Sequence, residues 1–424
     1  MFLSQSPFDR LKSLLAGIAP GADPINFTVG SPRHAPPAFI GEVMARHVSA
    51  FRDYPPIAGT ENFQRAVQAF CARRFGIGEN WHKDGAILPL NGSREGLFLS
   101  AITARDFLQK TDPVVLFANP FYQAYPSAAH AIGATSAPLA TGGRVLPDFD
   151  KVPRDLLDRA IAYYFCSPSN PQGQSADTAQ WHRLFDVAER HDFFIFADEC
   201  YSEVYRENAG PPVGALTAAL SRPGALERLF VFNSLSKRSN LAGMRVGFMA
   251  GGAAPIAAVR AFRNQVGPQV PVPLLEAAAA VYDDEDHVIE NRRLYDEKFA
   301  DAQAILGSLF DDVIPAAGFF LWLDVGGDDV DFVRELWRTC GVRAVPGSFL
   351  TADGGLGGDP GRGRVRLALV SDRATTKEAL TRLRVKEQMV CCRRAVLRSV
   401  VGCLVLDTSL QSLEALFFHN GDQF

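Results

Sequence analysis

The chain has 424 residues, 47% of them hydrophobic and 21% charged. That composition suits a soluble globular protein of two domains, or one large α/β unit with a smaller companion. A net charge of −4 leaves no electrostatic footprint for nucleic acid or an anionic membrane, and no 18-residue apolar stretch is free of charge, so no transmembrane helix is expected.

Taken in chain order, the N-terminal "MFLSQSPFDRLKSLLAGIAPGA" contains an apolar patch from Leu14 to Ala19, shorter than the core of a secretory signal. Residues 1–50 read as an arm that contributes to a small domain. From Phe51 to Tyr282 short β-rich runs alternate with amphipathic stretches. "DPVVLFANP", "AIAYYFCSPSNP", "FFIFADECY" and "RLFVFNSLSK" each open on a near-continuous apolar run and break into a polar or Pro-containing turn. Runs that are apolar on both faces predict parallel strands covered on both sides. Between two of them, "SADTAQWHRLFDVAERHD" sets Trp181, Leu184, Phe185 and Ala188 at i, i+3, i+4 and i+7, the stripe of a core-facing helix. Strand, helix, strand in repetition predicts an α/β fold with a doubly wound, mostly parallel sheet over residues 51–282.

Residues 283–385 read as a smaller α+β domain. "DEDHVIENRRLYDEKFADAQAILGSLF" predicts a long helix, "GFFLWLDV" and "RVRLALV" predict strands, and "TADGGLGGDPGRGR" must be a loop. Residues 386–424 form an atypical tail that holds three of the seven cysteines, and both order and disorder are open for it. The cysteines form no CxxC pair and the eight histidines lie at no i, i+3 or i, i+4 spacing, so a reduced, cytoplasmic protein without a metal site is expected.

Ligands of a doubly wound sheet gather outside the carboxyl ends of its strands. Here the strand ends lead into Asn119-Pro120-Phe121-Tyr122, Ser167-Pro168-Ser169-Asn170, Asp198-Glu199-Cys200-Tyr201 and Ser234-Leu235-Ser236-Lys237, while Gly92-Ser93-Arg94 opens a helix whose free N–H groups suit a phosphate. Each piece alone has a plain reading: Asp198 as a cap, Lys237 as a solvated charge, Gly92-Ser93 as a turn, Tyr122 as a packing ring. Together they specify a ligand with a phosphate, a planar ring, a ring nitrogen to be kept protonated and an aldehyde for an amine. That description is pyridoxal 5′-phosphate.

The same residues, with "SLSK…GMRVGF" at 234–248 as the most specific stretch, resemble the fold-type I pyridoxal-phosphate enzymes and in particular the class I/II aminotransferases, from about Ile25 to Leu383. The resemblance implies that Lys237 forms a Schiff base with the cofactor and carries the proton shift. It implies that Asp198 pairs with the pyridinium nitrogen, that Tyr201 and Asn170 contact the ring hydroxyl and that Tyr122 stacks on the ring. Ser93, Arg94, Ser234, Ser236 and Arg245 would hold the phosphate, with Tyr54 reaching the partner's phosphate across a homodimer. Arg366 would clamp the substrate α-carboxylate, with Asn170 and the backbone of Gly30 beside it. Amino acids and 2-oxo acids, as small-molecule substrates, are the implied partners, with no nucleic acid and no membrane.

Within that family "DYPPIAGTENFQRAV", "LPLNGSREGLF", "NPFYQAY" and "DECYSEVY" are similar to the succinyldiaminopimelate aminotransferases of lysine biosynthesis, which implies glutamate and 2-oxoglutarate as the co-substrate pair. Two segments depart from that group: "RNQVGPQVPVP" at 263–273, and "PGSFLTADGG" at 346–355, which offers Thr351 and Ala352 where an arginine is usual. Both are expected near the distal substrate group. Another amino-acid aminotransferase, a C–S β-lyase, or a regulatory protein whose effector module is the tail would use the same cofactor contacts.

Overall fold

The apolar runs that end in Asn119, Cys166, Asp198 and Ser234 are neighbouring strands of one sheet in the computed structural model of the chain, which describes residues 5–76, 85–352 and 356–387. The tail from 388 onward lies outside the described residues. From edge to edge the seven strands are Gly85–Leu90, Gly247–Gly252, Leu229–Ser234, Phe194–Asp198, Ala160–Cys166, Val114–Asn119 and Thr135–Ala140. All are parallel except Gly247–Gly252, which runs antiparallel to both neighbours. Its direction follows from its connection: residues 235–246 turn the chain back at the carboxyl tip of Leu229–Ser234. Lys237 and Arg245 both lie in that turn.

The strands are buried at nearly every position because helices cover both faces. Ser93–Leu108 and Ala124–Ala131 pack on one face around Leu97, Ala101 and Tyr125. Glu61–Phe75, Thr178–His191 and Val272–Asp283 pack on the other around Phe70, Leu184 and Tyr282. The Thr178–His191 helix starts where Asp177 accepts from Gln180 N at 2.7 Å and Gln180 Oε1 accepts from Asp177 N at 2.9 Å, a reciprocal cap worth about 1 kcal/mol. Its stripe of Trp181, Leu184, Phe185 and Ala188 is buried. Emptying the Trp181 position would cost about 3–5 kcal/mol.

A second apolar core gathers the two ends of the described chain. Leu11 and Leu15, of and just after the helix Pro7–Leu14, and Ile25 and Phe27 pack with residues from Phe299 to Leu383. Around it stand the long helix Asp286–Leu306, the antiparallel strands Val345–Pro346, Arg364–Ala368 and Phe320–Asp324, the helix Asp329–Cys340, and a helix over 373–387. Ile25–Asn26 pairs in parallel with Val342–Arg343, which ties the N-terminal segment to this core. The segment then runs on through Thr28 and Gly30 to the strand tips of the large sheet. Among the described residues no helix is long and apolar enough to cross a membrane.

Candidate active site

A cavity of about 490 Å³ opens over the carboxyl ends of the strands. The sheet register explains who reaches it. Cys166 pairs with Asp198, Asp198 with Phe232, and Ser234 and Leu90 both with Gly247, so the ends of five strands lie within two residues of one another along the sheet. Asp198 is the last residue of its strand, and its side chain is buried there. Its Oδ2 accepts from the Tyr125 hydroxyl at 2.8 Å and its Oδ1 from the Cys200 amide at 3.3 Å. Burial pushes the Asp198 carboxyl up, while the hydrogen bonds from Cys200 and Tyr125 and the Lys237 charge hold it down. A cationic ring nitrogen facing this carboxylate would offset the cost of burying it.

Lys237 leaves the short helix Leu235–Arg238 and donates from Nζ to the carbonyl of Gly30. Burial lowers its amine to about 8, helped by Arg366 and Arg245 and opposed by Cys200 and Asp198. A tenth of such amines are neutral at pH 7, far more than for a solvated lysine. The Gly30 carbonyl reaches Lys237 because Gly30 carries no Cβ, which would lie 2.7 Å from the ring of Phe320.

The phosphate-sized corner is built by backbone as much as by charge. Arg245 sits at φ 56°, a left-handed conformation that costs a non-glycine residue of order 1–3 kcal/mol. Its Nη1 donates to Ala242 O at 2.8 Å and its Nη2 to Asn91 O at 3.3 Å. Gly92, at φ 78°, lies directly beneath, and a Cβ there would overlap the guanidinium. The Ser93–Leu108 helix begins at this point with its first N–H groups unpaired by the helix. Ser236 Oγ shares a hydrogen bond of 2.8 Å with Ser234 Oγ. A helix N-terminus, hydroxyls and an arginine converge in a hollow that side-chain carbon is excluded from, which fits a phosphate.

At the other wall Arg366, on the strand Arg364–Ala368, is buried and spans both cores. Its Nη1 donates to Asn170 Oδ1 at 3.1 Å and its Nη2 to Thr28 O at 2.7 Å, while Nε has no partner among the described residues. Burial lowers its guanidinium to about 10, so it stays charged at neutral pH. Asn170 Nδ2 lies 3.4 Å from the Tyr201 hydroxyl, and burial holds the Tyr201 phenol well above its ordinary range and therefore protonated. A buried cation with a spare N–H is a receptor for a carboxylate.

The family model for aminotransferase class I and II matches residues 22–383. The chain belongs to that family. It is a transaminase, of a family that works with pyridoxal phosphate. An LL-diaminopimelate aminotransferase of Nitratidesulfovibrio vulgaris is 30% identical over 386 residues, covering 88% of this chain and 94% of the relative. The crystal structure of an aminotransferase from Neisseria meningitidis is 36% identical with a TM-score of 0.85, covering 89% of this chain and 96% of that one. A probable N-succinyldiaminopimelate aminotransferase from Thermus thermophilus is 25% identical with a TM-score of 0.75, over 89% of this chain and 99% of that one. The fold-type I architecture expected from the sequence is the one these structures share.

Of the residues singled out in the sequence, Gly30, Ser93, Arg94, Tyr122, Asn170, Asp198, Tyr201, Ser236, Lys237, Arg245 and Arg366 line this transaminase's cavity. Ser234 stands one layer back, buried behind Ser236. Tyr54 is fully exposed and outside the cavity. Arg94 is held by the Tyr122 hydroxyl, to which its Nε donates, rather than reaching down to Arg245. The two segments expected at the distal substrate group behave differently. Residues 263–273 do not line the cavity; Arg263 is buried and pairs with Glu95 at 2.9 Å. From 346–352 only Leu350 reaches it, and Thr351 turns away to Asp359 at 2.6 Å.

Sequence reasoning missed Tyr125, Cys200 and Thr28. Tyr125 could have been found, since it follows Tyr122 at i+3 where a helix turn brings both to one side. The Cys200 thiol, 2.9 Å from Ser93 Oγ, and the Thr28 carbonyl carry no distinctive signal in the chain.

Proposed function

We propose that this transaminase binds pyridoxal 5′-phosphate through Lys237 and transfers an amino group between glutamate and an amino acid of the diaminopimelate type, either free or N-succinylated. The observation that carries the reading is the meeting of Lys237, Asp198, Arg245 and Arg366 on one cavity. The relatives named for LL- and N-succinyldiaminopimelate support the substrate class.

When bound, the cofactor supplies an aldehyde for the amine and a ring that withdraws electrons from the substrate Cα. Each residue then has a task at a stated atom. Arg245, Ser236, Ser93 and the N–H groups of the Ser93–Leu108 helix bind the phosphate, with Ser234 orienting Ser236. Asp198 keeps the ring nitrogen protonated, and Tyr125 holds the Asp198 carboxylate in place. Tyr122 would cover one ring face, while Asn170 and the protonated Tyr201 hydroxyl would meet the ring hydroxyl. Arg366 grips the α-carboxylate, using the Nε that has no protein partner, beside Asn170 and the Gly30 backbone. Lys237 Nζ, its proton loosened by burial, would accept the Cα proton and return it two atoms further along, a 1,3-shift. Arg94 lines the phosphate side with Tyr122. The exposed Tyr54 suits completion of a partner's phosphate site in a homodimer, with a large domain over 51–282 and a small one over 283–385 and the N-terminal arm.

A donor and acceptor panel on the cofactor-loaded enzyme tests the reading. Glutamate should bleach the cofactor band, and 2-oxoglutarate or the diaminopimelate-derived oxo acid should restore it. Release of pyruvate and thiol from cysteine conjugates, without a need for oxo acid, would instead mark a C–S lyase.

A further inference from the structure

Among the described residues four arginines and Lys237 line the cavity, and Asp198 is the one carboxylate. The proposed function uses Arg245 for a phosphate and Arg366 for an α-carboxylate, and Arg94 is engaged by Tyr122. Arg144 has no task. It stands on the loop that follows the edge strand Thr135–Ala140, after Gly142 and Gly143, both of which have positive φ. Its Nε lies 3.4 Å from the Thr141 carbonyl and its Nη2 3.5 Å from Asp148, an exposed and therefore weak pairing that leaves most of its fork free.

The position of Arg144 relative to Arg366 is set by one turn. Asn170 touches Arg366 at one end of the turn, and Gln174 Nε2 donates to Gly143 O at 3.2 Å at the other. The turn folds on itself, with Ser169 N donating to Gln174 O at 2.8 Å and Gly173 N to Ser169 O at 2.9 Å. Four residues could span at most about 14 Å if extended, and the folded turn is shorter. The cavity that both arginines line also takes apolar surface from Val145, Phe121 and Leu350, beside the polar Gln172 and Gln174 of the turn. Gln172, on the same turn, carries a buried Oε1 that has no partner among the described residues.

We infer that Arg144 is the specificity-determining cation that receives the far carboxylate of a substrate held by Arg366, so that the cavity selects α-amino dicarboxylic acids with an aliphatic middle. The inference rests on the proposed function, and it deepens it. The arginine missing after the "PGS" turn is replaced from a different loop. Gln172 Oε1 would accept an N–H at the same end, from a second amino group or an acylated nitrogen.

The test compares kcat/KM for 2-aminopimelate, which has a far carboxylate, with that for norleucine, which has none, in the cofactor-loaded enzyme and in Arg144→Gln and Arg144→Lys. Loss of a charge-assisted contact should lower the 2-aminopimelate to norleucine ratio about ten- to hundredfold in Arg144→Gln, with partial recovery in Arg144→Lys. A ratio within twofold of wild type in Arg144→Gln, or a wild-type enzyme that does not prefer 2-aminopimelate, overturns the inference while leaving the transaminase reading in place. A cofactor band that no amino acid bleaches is the separate failure of that reading, and takes the inference with it.

Discussion

The two ends of the cavity are built differently. At the inner end Asp198, Ser234, Lys237 and Arg245 stand at strand tips or in the single turn between two strands, placed by sheet register and, for Asp198, by a buried hydrogen bond from Tyr125; of the four only Arg245 is exposed. At the outer end Arg144, Gln172 and Leu350 come from three loops, and Arg144 is exposed. Chemistry common to a whole family needs reacting atoms held to a fraction of an ångström, which packed strands provide. Substrate choice can be set by loops, whose side chains change without disturbing the sheet.

Substitutions should separate the two ends by kind as well as by size. Lys237→Ala removes the group that moves the Cα proton and should lower kcat by about 10²–10⁴, with the cofactor band lost from its wild-type position. Asp198→Asn keeps the shape but removes the charge facing the ring nitrogen; kcat should fall about ten- to hundredfold, measured at saturating glutamate. Arg366→Lys surrenders the fork, and KM for every amino acid should rise about tenfold, whether or not it has a far carboxylate. A KM effect on every amino acid separates Arg366 from Arg144, whose substitution is expected to touch dicarboxylates alone. Tyr125→Phe removes one hydrogen bond from Asp198 and should cost up to about tenfold in kcat. A larger loss in KM than in kcat for Tyr125→Phe would mean that the inner end is less rigidly divided into tasks than its geometry implies.

The pH dependence belongs to the inner end alone. With burial lowering the Lys237 amine to about 8, the neutral fraction rises about tenfold per unit up to pH 8 and then levels. Capture of pyridoxal phosphate by cofactor-free enzyme should follow that curve. A rise continuing to the 10.5 of an ordinary lysine would contradict a buried amine.

The same division decides what was legible in the sequence. An apolar run that stops at Asp198 or Asn119 marks a strand tip, and a doubly wound sheet places all such tips together, so the inner residues could be assembled from chain order alone. Arg366 needed the likeness to a known family, because nothing in "RVRLALV" says that its strand abuts the large sheet. Of the two segments expected at the distal end, 263–273 stays away from the cavity and 346–352 reaches it through Leu350 alone, for a physical reason. Arg263 satisfies Glu95 inside the protein, and Thr351 satisfies Asp359, partners 168 and 8 residues away that no local pattern announces. The antiparallel direction of Gly247–Gly252 depends on how tightly residues 235–246 turn, which periodicity does not encode.

The most direct test of the account is to reduce the cofactor-loaded enzyme with borohydride, digest it and locate the pyridoxyl-modified lysine by mass spectrometry. The account predicts one modified site, Lys237, in the peptide that contains Ser236 and Arg238. Modification at another lysine, such as the buried Lys298, or at none, would contradict it.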